Sequence, residues 1–298
     1  MNYPEIFRII AQNGNLYGNF QYIKLLCGSR TSFVPFQKVT TVKEVKVYYV
    51  YMVKAVLHQG DAVCWLRELP DASVDLIVTD PPYESLEKHR AIGTTTRLKH
   101  SKASSNDWFD IFPNDRFHEL FIELYRVLKK NSHFYLYCDN ETMFMAKPIA
   151  ESVGFRFWKP LVWDKMKIGM GYHYRARYEF ILFFEKGKRK LNDLGVPDII
   201  QVPRIYRGYP TEKPIEVSEV LISQSTKPNE IVVDPFMGSG STGIASVKLG
   251  RHFIGNDIGS EALKVTRERL QDLQVDFTST LWPQQTSASE KTQLDLSI

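Results

Sequence analysis

The sequence predicts an α/β protein built on a doubly wound, mostly parallel sheet of seven strands. Three observations predict it. Short runs rich in Val, Ile and aromatic residues alternate with stretches whose apolar residues fall at helical spacing, from about residue 54 to residue 273. Two of those runs stop abruptly at an acid followed by proline, Asp80-Pro81-Pro82 and Asp234-Pro235. After the second acid a glycine-rich turn, Gly238 to Gly243, leads straight into a helical pattern. Strand ends loaded in this way belong at the carboxyl edge of an open parallel sheet, where ligands bind.

The elements follow in order. Ala55 to Gln59 reads as a strand closed by Gly60-Asp61, and Ala62 to Leu69 as a short helix. Val74 to Thr79 is a continuous apolar run with one acid, short enough for a strand buried on both faces. Arg116 to Lys129 places Phe117, Leu120, Phe121, Leu124 and Leu128 on one helical face, and His133 to Tyr137 is the next strand. A helix over Glu141–Ser152 is followed by strands at about Phe155–Trp163 and Tyr178–Phe184. Val217–Ser225 (helix), Glu230–Val233 (strand), Ser241–Leu249 (helix), His252–Asn256 (strand) and Ser260–Leu273 (helix) complete the alternation.

This gives a domain over residues 52–275, flanked by two segments of different character. Residues 1–51 carry no interpretable motif beyond a candidate strand at Lys46–Val53, and read as a dispensable extension. Residues 276–298, above all those after Trp282, read as a polar, disordered tail. No apolar run is long enough to span a bilayer and no secretory leader pattern is seen at the N-terminus, so a cytoplasmic protein is expected. Cys27, Cys64 and Cys138 have no metal-binding or disulfide spacing, so no metal is expected.

A net charge of +4 is mild, so any nucleic-acid footprint must come from local clusters. Two interruptions of the alternation supply them. The long polar loop at about 84–115 holds Lys88, Arg90, Arg97, Lys99 and Lys102 without an acid between Lys88 and Lys102, which suits phosphate contact. The second, at about 186–208, mixes Lys186, Lys188, Arg189 and Lys190 with Arg204, Tyr206 and Arg207, which suits nucleic acid, with a plain surface connection the alternative.

Two stretches carry chemistry. Asp80-Pro81-Pro82-Tyr83 puts a carboxylate at a strand end, followed by two residues with no N–H. A flat group bearing an NH2 fits such a clip: Asp80 and the Pro81 carbonyl accept one amino hydrogen each, while Tyr83 stacks on the ring. A plain strand-to-loop turn is the alternative. In the second stretch, Asp234 to Thr242, Gly238, Gly240 and Gly243 match G-x-G-x-x-G. Asp257 ends the next strand nineteen positions after Gly238, where an acid can take the two hydroxyls of a ribose. A nucleoside-containing cofactor follows; a nicotinamide dinucleotide stays open on these residues, as does a turn that needs its glycines only for packing. Asp234 beside the turn adds a carboxylate better suited to an ammonium or sulfonium ligand than to a pyrophosphate.

Together these stretches resemble the amino-group DNA methyltransferases, which transfer methyl from S-adenosylmethionine to adenine N6 or cytosine N4. Asp80-Pro81-Pro82-Tyr83 is similar to their catalytic motif, and Asp234, Phe236, Gly238, Ser239, Gly240, Ser241 and Thr242 to their cofactor loop. Tyr209-Pro-Thr211-Glu-Lys213-Pro214 resembles the segment that encloses the cofactor's methionine part, Asp61 the acid near its adenine, and Asp257 its ribose-binding acid. Two positions depart from the usual pattern: Tyr209 where His is commoner, and Asn256 where an apolar residue is commoner. The catalytic motif precedes the cofactor motif, as in the family's β class.

The resemblance implies a Rossmann-like, circularly permuted methyltransferase fold and S-adenosylmethionine as cofactor. It also implies double-stranded DNA as partner, a flipped-out target base and a single in-line methyl displacement. An Asp heading the clip leans towards adenine in the family, with cytosine N4 the alternative. A homodimer and a cognate restriction endonuclease are further partners the class suggests. A cytosine-C5 route needs a thiolate, and no cysteine is expected near either loaded strand end.

Overall fold

A computed structural model describes residues 53–84, 110–169, 173–206, 209, 211–273 and 275–282, together with the backbone of four short N-terminal strands. Of these N-terminal strands, Tyr22–Cys27 pairs antiparallel with Arg30–Pro35, and Phe7–Arg8 with Tyr49–Val50. The five basic residues of the expected DNA loop, Lys88 to Lys102, lie outside the described residues.

The main sheet has nine strands: β1 (Lys54–Gln59), β2 (Val74–Thr79), β3 (Leu128–Cys138), β4 (Arg156–Asp164), β5 (Tyr178–Lys186), β6 (Ile199–Gln201), β7 (Ile231–Asp234), β8 (His252–Asp257) and β9 (Asp276–Phe277). Their order across the sheet is β6-β4-β5-β3-β2-β7-β8-β1-β9. All neighbours run parallel except at β5, which is antiparallel to both β3 and β4. The seven expected strands are present, and β6 and β9 extend the edges. At three and two residues, these two are too short to show a period. Because β9 pairs with β1, the sheet takes in the first residues of the polar tail.

Alternation along the central strands assigns the two faces. In β2, Val74 and Ile77 join one apolar cluster while Leu76 and Val78 join the other; in β3, Phe134 and Leu136 oppose Tyr135 and Tyr137. The first cluster is covered by α1 (Ala62–Glu68), α2 (Phe117–Val127) and α3 (Asn140–Val153). Helices α4 (Ile215–Ser225), α5 (Ser241–Lys248) and α6 (Ser260–Gln271) pack in sequence on the other side. Both faces of β2 are therefore buried along its whole length, which is why it reads as an apolar run on both faces, broken by Asp75 alone before Thr79.

Strand direction decides what reaches the ligand edge. The parallel strands all end there, bringing Asp61, Asp80, Asp139, Asp164, Asp234 and Asp257 at or just past their carboxyl ends. Antiparallel β5 instead begins there, so Glu179 comes to the same edge: Trp163 lies opposite Glu179, and Cys138 opposite Phe180. The far end of β5 carries Lys186 to the opposite edge. There its ammonium donates to the carbonyls of Tyr125 (2.6 Å) and Leu128 (2.7 Å). The basic cluster 186–190 is thus parted from Arg204 and Tyr206, which return to the ligand edge after β6.

Candidate active site

A cavity of about 380 Å³ opens along the ligand edge, lined by residues at the ends of β2, β3, β4, β5, β7 and β8 and in the segments that follow β1, β2 and β7. The size suits a nucleoside-scale ligand. Every residue expected in the catalytic motif or at the cofactor lines it, with Gly240 the exception, Asp80 and Asp257 among them.

At the β2 end, Pro81 and Tyr83 are buried and Pro82 half-buried. The Pro82 carbonyl accepts from Phe112 N at 2.7 Å, and Tyr83 makes a parallel bridge with Phe112, which fixes the backbone beyond the strand. Among the described residues no backbone donor reaches the Pro81 carbonyl. It offers an acceptor beside a carboxylate, with no competing N–H on either proline.

Asp80 does not stand alone. The Lys213 ammonium donates to its Oδ2 and lies 2.9 Å from Glu179 Oε1, while Lys165 Nζ sits 2.8 Å from Glu179 Oε2. Burial pushes the Asp80 carboxyl up, with Lys213 opposing that push. Burial alone would also raise Glu179, but Lys213 and Lys165 hold it below the usual carboxylate range. The two acids in turn hold the Lys213 ammonium well above its ordinary value despite burial. The Lys213 side chain also lies 5.4 Å from the centre of the Tyr137 ring. Lys213, expected among the cofactor residues, thus has its charge on the catalytic-motif acid.

The glycine turn is built differently from a simple phosphate cradle. Gly238, at φ +49°, lines the cavity, and the nearest atom to a Cβ placed there is 3.7 Å away on Tyr209. Gly240, at φ +77°, is backed by Thr266, whose Cγ2 lies 2.5 Å from where a Cβ would be; Gly243 is similarly backed by Phe253 at 2.6 Å. Those two glycines serve packing, and Gly240 does not line the cavity. Ser239, Ser241 and Thr242 are buried at its wall. Asp257 Oδ2 accepts from Gly238 N (2.9 Å) and Oδ1 from Gly259 N (2.8 Å), aiming the carboxylate at the cavity.

Asp234 is 4% exposed. Its Oδ1 accepts from Thr79 Oγ1 (2.8 Å) and Phe236 N (3.1 Å), and burial raises its carboxyl to about 7. Its first partners are therefore the β2 strand end and its own turn. Asp61 caps α1 through Val63 N (3.1 Å) and Cys64 N (3.0 Å) and receives Arg116 at 2.7 Å; the guanidinium holds its carboxyl well below the usual range. Buried Asn256 ties the edge together: its amide donates to the carbonyls of Gly60 (3.0 Å) and Pro235 (3.1 Å), and its Oδ1 meets His58 Nδ1 at 2.8 Å. That network requires an amide, which accounts for the polar residue there.

The expected distance of the cysteines from the loaded strand ends needs correcting. Cys138 closes β3 at the ligand edge, so a cysteine does stand near the Asp80 strand end. It is fully buried, and burial followed by the charges of Asp139, Glu179 and Asp80 pushes its thiol far up. A protonated, enclosed thiol is a poor nucleophile, so burial and charge rather than distance disfavour attack through a cysteine.

Sequence reasoning missed Glu179, Lys165 and Arg116. The first two depend on the direction of β5, which periodicity does not report, and Arg116 reaches Asp61 from 55 positions away.

Comparison with known proteins bears on this geometry. The family model of the N6/N4 DNA methylases matches residues 74–268. YubD of Escherichia coli strain K12, described as a methylase, is 32% identical over 224 residues, covering 72% of this chain and 90% of that protein. The DNA adenine methyltransferase YhdJ of the same strain is 29% identical, covering 73% of this chain and 82% of its own length. Among solved structures, M1.HpyAVI in complex with S-adenosylmethionine superposes with a TM-score of 0.54 at 24% identity, covering 72% of this chain and 99% of that one, a likeness of fold.

Proposed function

The chain belongs to the N6/N4 DNA methylase family, and from that premise we propose that it methylates the N6 amino group of an adenine swung out of duplex DNA, using S-adenosylmethionine. The observation that carries the reading is a single cavity with Asp80 and the Pro81 carbonyl at one end and Asp257, Gly238 and Asp61 at the other. An amine acceptor and a nucleoside-binding wall are thus within one enclosure. Support for adenine over cytosine N4 comes from Asp at the head of the clip and from YhdJ, named as an adenine enzyme.

The residues fit the cofactor. Asp257 presents a carboxylate, already oriented by two backbone N–H groups, to the hydroxyls of a ribose. Gly238 lets the backbone approach closely, and Asp61 faces the same space from the end of β1. Thr211 and Ser239 flank the region assigned to the methionine part. When bound, the cofactor supplies a methyl group activated by its positive sulfur.

The chain's own residues do the rest. Asp80 and the Pro81 carbonyl hold the two amino hydrogens and so turn the nitrogen lone pair to the methyl group. Lys213 donates to Asp80 and opposes the upward push of burial on its carboxyl, which favours the acceptor form. Positive charge that grows on nitrogen meets the Asp80 carboxylate, which is also the first acceptor for the proton the amine sheds. Tyr83 and the Pro-Pro backbone close the walls around the ring.

The test is Asp80→Ala. Methyl transfer to DNA is expected to fall by at least about a hundredfold while cofactor affinity changes little. Transfer at the wild-type rate would reject the assignment.

A further inference from the structure

The ribbon joining β4 to β5 is unlike the rest of the surface. From Lys165 to Tyr178 the sequence contains Lys165, Lys167, His173, Arg175 and Arg177 and no acid. The β4–β5 ladder continues past its strand ends through Lys165 N to Arg177 O and Gly169 N to Ala176 O, both 2.8 Å, so the described residues 165–169 and 173–177 run side by side beyond the ligand edge as the two sides of an arm. Its root is fixed. Asp164 receives Arg177 through both oxygens (2.6 and 2.7 Å), and Lys165 is anchored on Glu179 in the wall of the cavity.

Beyond the root, among the described residues, no carboxylate pairs with Lys167 or Arg175. Tyr174 is fully exposed, and Tyr206, 65% exposed, lies between Lys167 (5.2 Å from the ring centre) and Arg204 (5.7 Å), itself a cavity-lining residue. Exposed rings interleaved with uncompensated cations suit phosphates and unstacked bases.

We propose that this arm grips the DNA beside the target pocket. Lys167 and Arg175 take phosphates flanking the displaced nucleotide, and Tyr174 and Tyr206 offer stacking faces to bases unstacked around it. The inference rests on the DNA-methylation reading and adds to it a surface at the mouth of the Asp80 site, built from residues outside both loops expected from the sequence except Arg204 and Tyr206.

Fluorescence titration of a labelled duplex with the whole protein tests it, with S-adenosylmethionine binding measured on each variant to show an intact site. Lys167→Ala/Arg175→Ala is expected to weaken binding of all duplexes about tenfold or more. It should also reduce the slope of log K against log salt by about two, one for each phosphate no longer neutralised. Tyr174→Ala/Tyr206→Ala is expected to weaken binding by about tenfold with the slope unchanged. Variants that match a DNA-binding wild type in affinity and salt slope would overturn the arm while leaving the methylation reading intact. A wild-type protein that binds cofactor but no DNA would overturn the reading beneath it.

Discussion

The ammonium of Lys213 bridges Asp80 and Glu179, joining the end of parallel strand β2 to the start of antiparallel strand β5. The side chains of Lys213 and Glu179 are only 15% and 12% exposed, so this bridge lies where charges are costly when unpaired. Lys213→Met should therefore lower folding stability by about 3 kcal/mol. Urea unfolding measures it, and adding Asp80→Asn should recover part of the loss by neutralising the acid left without its cation, since Glu179 keeps Lys165. A stable single variant would mean that the bridge is open in solution.

Asp234 gives a pH prediction with a definite sign. Its carboxyl titrates at about 7 in the folded protein against an ordinary 3.8, because it is buried. Between those values the unfolded chain has shed a proton that the folded chain keeps, so stability falls as pH rises through that window. Asp234→Asn removes the penalty: it should be more stable than wild type by at least about 1 kcal/mol at pH 8, with the gap closing towards pH 4. Thermal unfolding across pH checks this, and a constant gap would contradict the burial argument.

Gly240 is a packing glycine. Gly240→Ala forces a side chain into φ +77° with its Cβ 2.5 Å from Thr266 Cγ2. A loss of about 2 kcal/mol is expected, read as a lowered melting temperature. A neutral substitution would show that α5 and α6 can part at no cost.

Asp257 is the lever on cofactor affinity. Asp257→Asn removes the charge and one of the acceptors that hold Gly238 and Gly259. The dissociation constant for S-adenosylmethionine should rise roughly 10- to 100-fold by calorimetry. Unchanged affinity would move the ribose site elsewhere in the cavity.

The sequence made the parallel half of this site legible because each parallel strand announces its own carboxyl end. Val74–Thr79 was read to the residue, and the acids that close β2, β7 and β8 stand on the cavity as their positions implied. Glu179 stayed hidden because Tyr178–Phe184 has the same apolar run in either direction, and only the pairing with β3 and β4 turns its first residues to the ligand edge. The direction of β5 also carries the basic cluster after Phe184 to the far edge, away from Arg204. Gly238 and Gly240 look alike in the motif; Thr266, 26 positions after Gly240, separates their roles.

The most direct test of the central claim is mass spectrometry of nucleosides from unmethylated duplex DNA incubated with S-adenosylmethionine and either wild type or Asp80→Ala. N6-methyladenine from the wild type, and none from the variant, is the predicted result. No methylated nucleoside from a wild-type preparation that binds the cofactor, or equal methylation by Asp80→Ala, would contradict the account.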